Sequence, residues 1–232
     1  MPAPALRRPY RREGEEKRRD DLIAAAMALV AEGGTEAATV RAIAARAGVT
    51  PGLIRHYFQS KEELTHAAYR HVMESMTQEA LRAIEGLPAD DPVGRLAAFI
   101  AANFRPPVMT PAVVGVWASY MHLGRNDPVI HTIHEATYLG YRDRLQELIA
   151  ALPRPADPAR DRREAIACNA LIDGLWIEGG SLPDSFAPGE VQRIALDGIG
   201  AMLGVRFPET AYSDGARSNG AYPDTSDRKT TP

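Results

Sequence analysis

Residues 39–61, TVRAIAARAGVTPGLIRHYFQSK, decide the fold of this chain. Apolar residues recur in the first half at i, i+3, i+4 and i+7, namely Val40, Ile43, Ala44 and Ala47. This spacing predicts a helix with one apolar face, which Thr39 can cap and Gly48 can stop. Thr50 and Pro51 then open a second helix, because Pro is favoured at the first helical position. Two short helices around so tight a turn predict a helix-turn-helix.

The second helix of this stretch has two different sides. We expect Ile54 and Phe58 to face inward. The opposite side carries short or polar residues where an ordinary surface helix would more often carry Glu and Lys: Thr50, Gly52, Arg55 and His56. Ser60 and Glu63 are spaced as a capping box that starts a third helix.

Length and composition favour a helical protein with a real core. The chain has 232 residues, of which 45% are hydrophobic and only 6% aromatic. Taken alone, the net charge of −3 argues against nucleic-acid binding, but it conceals an asymmetry. Residues 1–70 carry 12 Lys and Arg against 9 Asp and Glu, a net +3, whereas the other 162 residues carry 15 and 21, a net −6. The basic end is the helix-turn-helix end.

The sequence also predicts where the chain works. A single cysteine, Cys168, cannot form an internal disulfide and suits a reducing cytoplasm. The longest apolar run, residues 22–31, is too short to span a bilayer, and the N-terminus lacks the hydrophobic region of a signal peptide. We therefore expect a cytoplasmic protein without a membrane partner.

We expect four segments. Residues 1–15 are Pro- and Arg-rich and predict a disordered basic arm, either a solvated leader or a strand that tracks DNA phosphates or the minor groove. Residues 16–60 form the helix-turn-helix domain, and 61–205 a helical regulatory and dimerisation domain. Residues 206–232, rich in Ser, Asp, Thr, Gly and Pro, predict a disordered tail.

The last two helices predict a homodimer. The final helix is apolar on more than one side, so it must be buried on more than one side, which suggests another copy of itself as the partner. Ala195 and Gly198 would permit close helix approach. The expected interface residues are Cys168, Ile172, Leu175, Val191, Ile194, Ala195, Gly198 and Met202.

The residues GVTPGLIRHYFQSKEEL at 48–64 resemble the recognition helix of the TetR family of bacterial regulators, whose usual pattern is Gly-Val-Ser-x-Gly-x-Leu-Tyr-x-His-Phe-x-x-Lys. Arg55 stands where that family usually has Tyr, and a His56-Tyr57-Phe58 run replaces its His-Phe pair. Two later stretches resemble the regulatory domain of the choline-responsive BetI-type branch: WASYMHLGRNDPVIHTIHEATYLGYRDRLQELI at 117–149 and ACNALIDGLWIEGG at 167–180. The resemblance covers about residues 16–205.

The resemblance implies an all-α regulator that binds double-stranded DNA at a near-palindromic operator. Positions that match the family's major-groove face are Thr50, Pro51, Gly52, Leu53, Arg55 and His56. Positions that match phosphate contacts are Thr39, Tyr57 and Lys61, and the helix N-termini at Thr39 and Ser60 suit an anion independently. Tyr57 could instead be a core ring with its hydroxyl at the surface. Because Arg55 departs from the pattern, its contact could be a base or a phosphate.

A small-molecule site is expected among aromatic and polar residues of the middle helices: Phe99, Asn103, Trp117, Tyr120, Met121, Tyr138, Asn169, Asp173 and Trp176. Asn169 and Asp173 lie at i, i+4, with Trp176 one turn further on. A carboxylate beside an indole could hold a quaternary ammonium ligand by charge and cation–π contact. The alternative is that Asp173 forms a buried cap or salt bridge and the rings fill the core.

Other classes of protein fit less well. His122, His131 and His134 with Glu135 invite a metal site but lack a further close-spaced set of His or Cys, so we expect no metal and no cofactor. The chain has no nucleophile elbow, phosphate-binding glycine loop or HExxH motif, so we expect no enzyme. Two hypotheses remain: a repressor released from DNA by a small-molecule effector, or a constitutive dimeric DNA-binding protein without an effector.

Overall fold

The structure, a computed structural model, describes residues 8–212, and within them every regular element is helical, which confirms the all-α fold class. The helices are α1 (Arg8–Ala37), α2 (Val40–Arg46), α3 (Pro51–Tyr57), α4 (Lys61–Arg82), α5 (Pro92–Ala101), α6 (Pro111–Gly124), α7 (Pro128–Ala150), α8 (Pro158–Ser181) and α9 (Glu190–Leu203). Short 3-10 turns cover Ala102–Phe104, Pro183–Ser185 and Glu209–Ala211.

A repeated cap-and-proline signal opens four of these helices. Asp91, Thr110, Asp127 and Asp157 each precede a proline and accept a backbone N–H of the first helical turn through the side chain. Because proline lacks an N–H, it loses nothing at this position. Asp157 and Pro158 start α8 in this way.

Helix α1 begins earlier than the sequence suggests. Residues 8–15 are helical, so the predicted disordered arm is wrong for them, while residues 1–7 of that arm lie outside the described range. Extending an existing helix avoids the cost of nucleation, which explains why a polar segment continues it. The helix is interrupted at Gly33 and Gly34, where Gly34 has a φ of 72° that a residue with a side chain rarely adopts.

The segment after α9 folds back onto the protein. Phe207 is 3% exposed, the Gln192 side-chain amide donates to the Ala211 carbonyl at 2.8 Å, and the Tyr212 hydroxyl donates to Asp197 at 2.9 Å. The predicted disordered tail is therefore wrong for residues 206–212, because one apolar ring suffices to hold a short segment to a helix. Residues 213–232 of that tail lie outside the described range.

Two hydrophobic cores organise the described residues. The first core lies among the end of α4 and helices α5, α7, α8 and α9, with Phe99, Ile100 and Leu196 fully buried. The second core contains Leu22, Ile43 and Ile54 of the helix-turn-helix domain, and it also contains residues of the later helices: Val116, Tyr120, Ile130 and Ile133. The helix-turn-helix is thus packed onto the ends of α6 and α7.

The predicted dimer interface needs a correction. Cys168, Ile172, Val191 and Ala195 are at most 4% exposed in the single chain, because they fill the first core, so they cannot face a partner. Leu175 and Gly198 are partly buried, while Ile194 and Met202 are each 43% exposed. The exposed large apolar residues of these two helices, which we call their exposed apolar face, are Ile166, Ile177, Ile194 and Met202.

Candidate functional sites

The turn between α2 and α3 is closed by backbone geometry that needs glycine. Gly48 has a φ of 65°, in the left-handed region. Its N–H donates to the Ala45 carbonyl at 3.2 Å, and the Val49 N–H donates to the Ala44 carbonyl at 2.9 Å. These two bonds form a Schellman motif, which ends α2 and sets the direction in which α3 leaves.

The side chains directly before α2, α3 and α4 differ in whether they cap the helix. The Thr39 hydroxyl accepts from the Ala42 N–H at 3.1 Å, whereas the Thr50 hydroxyl makes no capping bond. The Ser60 hydroxyl accepts from the Glu63 N–H at 3.1 Å, but the Glu63 carboxylate accepts from the Gln59 N–H at 2.8 Å, not from Ser60. Thr50 is therefore exposed at the start of α3, and its hydroxyl does not cap the helix.

One side of α3 is open to solvent. Ile54 is 2% exposed and points into the second core, while Pro51, Gly52, Arg55 and His56 are exposed. Leu53, Tyr57 and Lys61 are partly buried at the margin. The Tyr57 ring packs against the second core and meets the His56 ring edge-on at 5.1 Å. The ring therefore has a structural role, and the phosphate contact of Tyr57 stays a prediction.

Two contacts that the sequence did not indicate hold this domain together. Arg46 of α2 forms a forked pair with Glu32 of α1, with N to O distances of 2.8 and 2.7 Å. The Arg19 guanidinium lies 4.5 Å from the centre of the Phe58 ring at the end of α3. Both contacts tie the helix-turn-helix to α1 across the protein surface.

A small cavity lies between α4, α7 and α8, and about 50 Å³ of it is open to the centres of water-sized molecules. Five predicted ligand residues line it: Asn103, Tyr138, Asn169, Asp173 and Trp176. Six further lining residues were not predicted: Met73, Met76, Thr77, Thr137, Tyr141 and Ile172. Three of these come from α4, the helix that leads to the DNA-binding head.

Four predicted ligand residues do not line the cavity. Phe99 packs against the Tyr141 ring at 5.1 Å, and Trp117 meets Trp176 edge-on at 5.8 Å, so both stand behind lining residues. Tyr120 belongs to the second core, and Met121 lies beside that core's Tyr69, with its sulfur 3.8 Å from the hydroxyl. These four residues lie on α5 and α6, and neither helix lines the cavity.

Asp173 is the charged group of the cavity. Its carboxylate accepts from the Tyr138 hydroxyl at 2.6 Å and from the Asn169 side-chain amide at 3.1 Å. Burial raises the pKa of Asp173, although the bond from Tyr138 opposes this, and burial beside Asp173 raises the pKa of Tyr138 to about 12. No Lys, Arg or His within residues 14–212 forms an ion pair with Asp173, so the predicted alternative of a salt bridge is not what the structure shows.

The cavity also contains polar atoms without partners. The Tyr141 hydroxyl and the Asn169 side-chain oxygen are buried and make no hydrogen bond. Leaving such a group unpaired costs about 1–3 kcal/mol. By contrast, the Trp176 indole N–H donates to the Val108 carbonyl at 3.1 Å, which fixes the orientation of the ring. The cavity thus combines fixed aromatic faces, a carboxylate without a cation, and unused hydrogen-bonding capacity.

The histidines follow another pattern than metal binding. Within the described part of the chain, no three His, Cys, Asp or Glu residues are grouped so as to hold a metal ion. His134 is half-buried and its Nδ1 lies 2.9 Å from the Tyr69 hydroxyl, while His131 is exposed. The range 8–212 also has no helix that is both long enough and apolar enough to cross a membrane.

An exposed recognition helix on a head that is packed against a helical domain with an internal cavity defines a helix-turn-helix transcriptional regulator. Comparison with known families agrees: residues 22–68 match the model of bacterial regulatory proteins of the tetR family, and 92–204 match that of the C-terminal part of BetI-type transcriptional repressors. This chain belongs to the TetR family, in its BetI-type branch.

Individual relatives support this assignment. The HTH-type transcriptional regulator BetI of Burkholderia thailandensis is 32% identical over 192 residues, which cover 82% of this chain and 96% of the relative. A solved transcriptional regulator from Pseudomonas aeruginosa PAO1 superimposes with a TM-score of 0.72 at 28% identity, over 86% of this chain and 97% of the other. A regulator from Saccharomonospora viridis in complex with choline shares the fold, with a TM-score of 0.67 at 19% identity over 79% and 96%. The relatives are named regulators of transcription, and this chain is not an enzyme.

Proposed function

We propose that this protein is a cytoplasmic repressor that binds a near-palindromic operator as a homodimer and is released when a small quaternary ammonium compound enters the cavity at Asp173. The single observation that carries the proposal is that a partly buried carboxylate faces aromatic and apolar residues without a cation. A protein that needed only a core at this place could carry Asn or Leu instead.

The effector class is argued from charge and shape. A quaternary ammonium ion has no N–H to donate, so it binds best to ring faces with a carboxylate nearby, and Tyr138, Tyr141 and Trp176 supply rings around Asp173. A hydroxyl on such a ligand would meet the unpaired Tyr141 hydroxyl or Asn169 oxygen. The choline-bound Saccharomonospora viridis regulator is consistent with this class.

One feature favours the alternative of a constitutive DNA-binding protein, namely the small size of the cavity. The lining residues Met73 and Met76 are unbranched, so they can move aside more readily than branched residues. Ligand-dependent release of operator DNA separates the two hypotheses, because a constitutive protein would keep its DNA at every concentration of the compound.

The test is calorimetric titration of choline and of its neutral carbon isostere, 3,3-dimethylbutan-1-ol, into the full chain. We expect choline to bind and the isostere to bind at least tenfold more weakly, and Asp173→Asn to remove this preference. The variant should fold, because burial raises the pKa of Asp173 and Asn at this position removes the partly buried charge at neutral pH. Equal binding of both compounds by the wild-type chain would reject a cation site.

DNA binding is tested on the operator recovered by genomic footprinting. Arg55→Ala should weaken operator binding by about 1–3 kcal/mol while binding to random DNA changes little, because a lost base contact affects only the correct sequence. Lys61→Ala should weaken both alike and reduce the salt slope by about 1. Equal losses for Arg55→Ala on both DNAs, measured by fluorescence anisotropy at fixed salt, would reassign Arg55 to a phosphate.

A further inference from the structure

Four side chains form a continuous series of contacts from the cavity to α4. Asp173 of α8 accepts from the Tyr138 hydroxyl of α7 at 2.6 Å. The Tyr138 ring lies 5.4 Å from the His134 ring, with 31° between the ring planes. The His134 Nδ1 lies 2.9 Å from the Tyr69 hydroxyl of α4. We call these four residues the contact series.

The far end of the contact series lies inside the second core. Tyr69 is fully buried, and its ring packs against Tyr120 at 4.9 Å. The same core contains Leu64 of α4 together with Ile54 and Phe58, the inward residues of the recognition helix. Because packed cores rearrange between discrete states and do not deform smoothly, a displaced Tyr69 would shift the recognition helix with α4.

At the cavity end of the contact series, the contact is a hydrogen bond to the Asp173 carboxylate. The Asp173 carboxylate accepts from the Tyr138 hydroxyl, and no cation is paired with it among residues 14–212. A cation in the cavity would compete for the same carboxylate and weaken that bond. The Tyr138 ring would then be free to turn, and His134, which packs against it, would lose the surface that positions its Nδ1 toward Tyr69.

We propose that His134 is the positioning residue through which occupancy of the cavity displaces Tyr69 in the second core, and that the direct contacts of Met73, Met76 and Thr77 of α4 with the cavity do not suffice for release. Removing His134 then uncouples effector binding from DNA release. This inference rests on the proposed function and names the route by which the same cavity acts. His134 touches neither the cavity nor DNA: it does not line the cavity, and it lies on α7, outside the helix-turn-helix.

The contact series predicts that two different variants of His134 fail in the same way. His134→Phe keeps a ring against Tyr138 but cannot bind the Tyr69 hydroxyl. His134→Asn keeps a polar atom near the Nδ1 position but loses the ring. If His134 merely stabilised the fold through its bond to Tyr69, the Asn variant would behave as the wild-type protein. Tyr69→Phe removes the hydroxyl and keeps the buried ring, and His131→Asn, an exposed residue on the same helix, is the matched control.

The first measurement is the ratio of operator affinities without and with saturating choline. We expect a ratio in the range of about 5–150-fold for the wild type and His131→Asn, and a ratio near one for His134→Phe, His134→Asn and Tyr69→Phe. Choline affinity in all five proteins should agree within about threefold. Variants that bind choline and still release the operator as the wild type does would overturn the assignment.

The second measurement requires neither effector nor operator, so it remains decisive if choline proves to be the wrong ligand. Asp173→Asn and Tyr138→Phe each alter the cavity end of the contact series, and we expect each to shift the side-chain nitrogen resonances of His134 in protein labelled with nitrogen-15 histidine. The His131 signal should stay in place. A wild-type protein that ignores choline refutes the effector class, whereas an unmoved His134 signal in both variants refutes the contact series.

Discussion

The His66 Nε2 and the Asp127 Oδ2 lie 2.7 Å apart and join α4 to the first turn of α7. The other oxygen of Asp127 accepts from the N–H groups of Val129 and Ile130, so a single carboxylate caps one helix and binds another. Burial acts to raise the pKa of Asp127, but the His66 bond and the two backbone bonds lower it overall. The carboxylate therefore stays ionised and fixed in the folded chain.

We expect Asp127→Ala to lose both roles of this carboxylate. Loss of the cap costs about 1 kcal/mol, and loss of the His66 partner adds about 1–3 kcal/mol. The matched control is Asp91→Ala, which removes a similar cap ahead of a proline but no bond to another helix. Urea unfolding of both variants measures the difference, and equal losses would show that the bond from His66 contributes nothing.

Acid should destabilise the protein through His134. Burial, and secondarily the nearby His131, lower the pKa of His134, which contacts the uncharged hydroxyl of Tyr69 and the ring of Tyr138. Above the ordinary histidine pKa of about 6.5 the ring is neutral in both the folded and unfolded chain, so it has no effect on stability. As the pH falls below that value, the unfolded chain binds the proton first and the folded state loses stability until the lowered pKa is passed. His134→Asn should therefore reduce the decrease in the free energy of unfolding between pH 7.5 and 5.5, measured by urea unfolding. If the decrease is unchanged in the variant, groups other than His134 cause it.

Gly52 offers a test of the DNA-facing surface that does not disturb the fold. A methyl group there would meet only the Thr50 hydroxyl, at 4.0 Å, and the backbone has no positive φ that requires glycine. Gly52→Ala should stabilise the chain by up to about 1 kcal/mol through helix propensity, yet weaken operator binding by about tenfold because the methyl occupies the approach to the groove. Gly115 is an exposed position on α6 with open space around it, so Gly115→Ala should raise the stability without weakening operator binding. If Gly52→Ala bound the operator with wild-type affinity, the DNA would not approach α3 closely at Gly52.

The exposed apolar face of α8 and α9 should be where two copies meet. We expect Ile194→Glu to weaken the dimer by at least about 2 kcal/mol, because a charge would be buried against the partner. Val129→Glu is the control, since Val129 is similarly exposed, at 45%, but lies at the start of α7. Sedimentation velocity over a concentration series distinguishes monomer from dimer, and a dimer that persists in the Ile194 variant contradicts the proposed interface.

Local signals in the sequence predicted much of this fold, because helix starts depend on short-range chemistry. A capping residue directly before Pro92, Pro111, Pro128 and Pro158 marks each of these four helix starts in the sequence. The open side of α3 also follows from helical spacing alone. Local signals cannot indicate which of two apolar stripes on a helix packs into the chain's own core. Val191 and Ile194 of α9 were therefore both predicted to lie in the dimer interface, although only Ile194 is exposed.

The cavity was the least predictable part, for a related reason. Asp173, Asn169 and Trp176 share one helix, so their spacing identified them as a group. Met73, Met76 and Thr77 of α4 come from a helix about a hundred residues earlier, and no periodicity links distant helices. No local signal indicated the contact of His134 with Tyr69, because the two residues are 65 positions apart.

The second core, which unites Ile43 and Ile54 with Val116 and Ile130, limits how this regulator can be recombined. A chimera that joins its helix-turn-helix at residue 60 to the C-terminal domain of a relative would replace half of that core with foreign side chains. A functional exchange has to carry the ends of α6 and α7 along with the head. For protein engineering, the transferable module is therefore discontinuous in the chain.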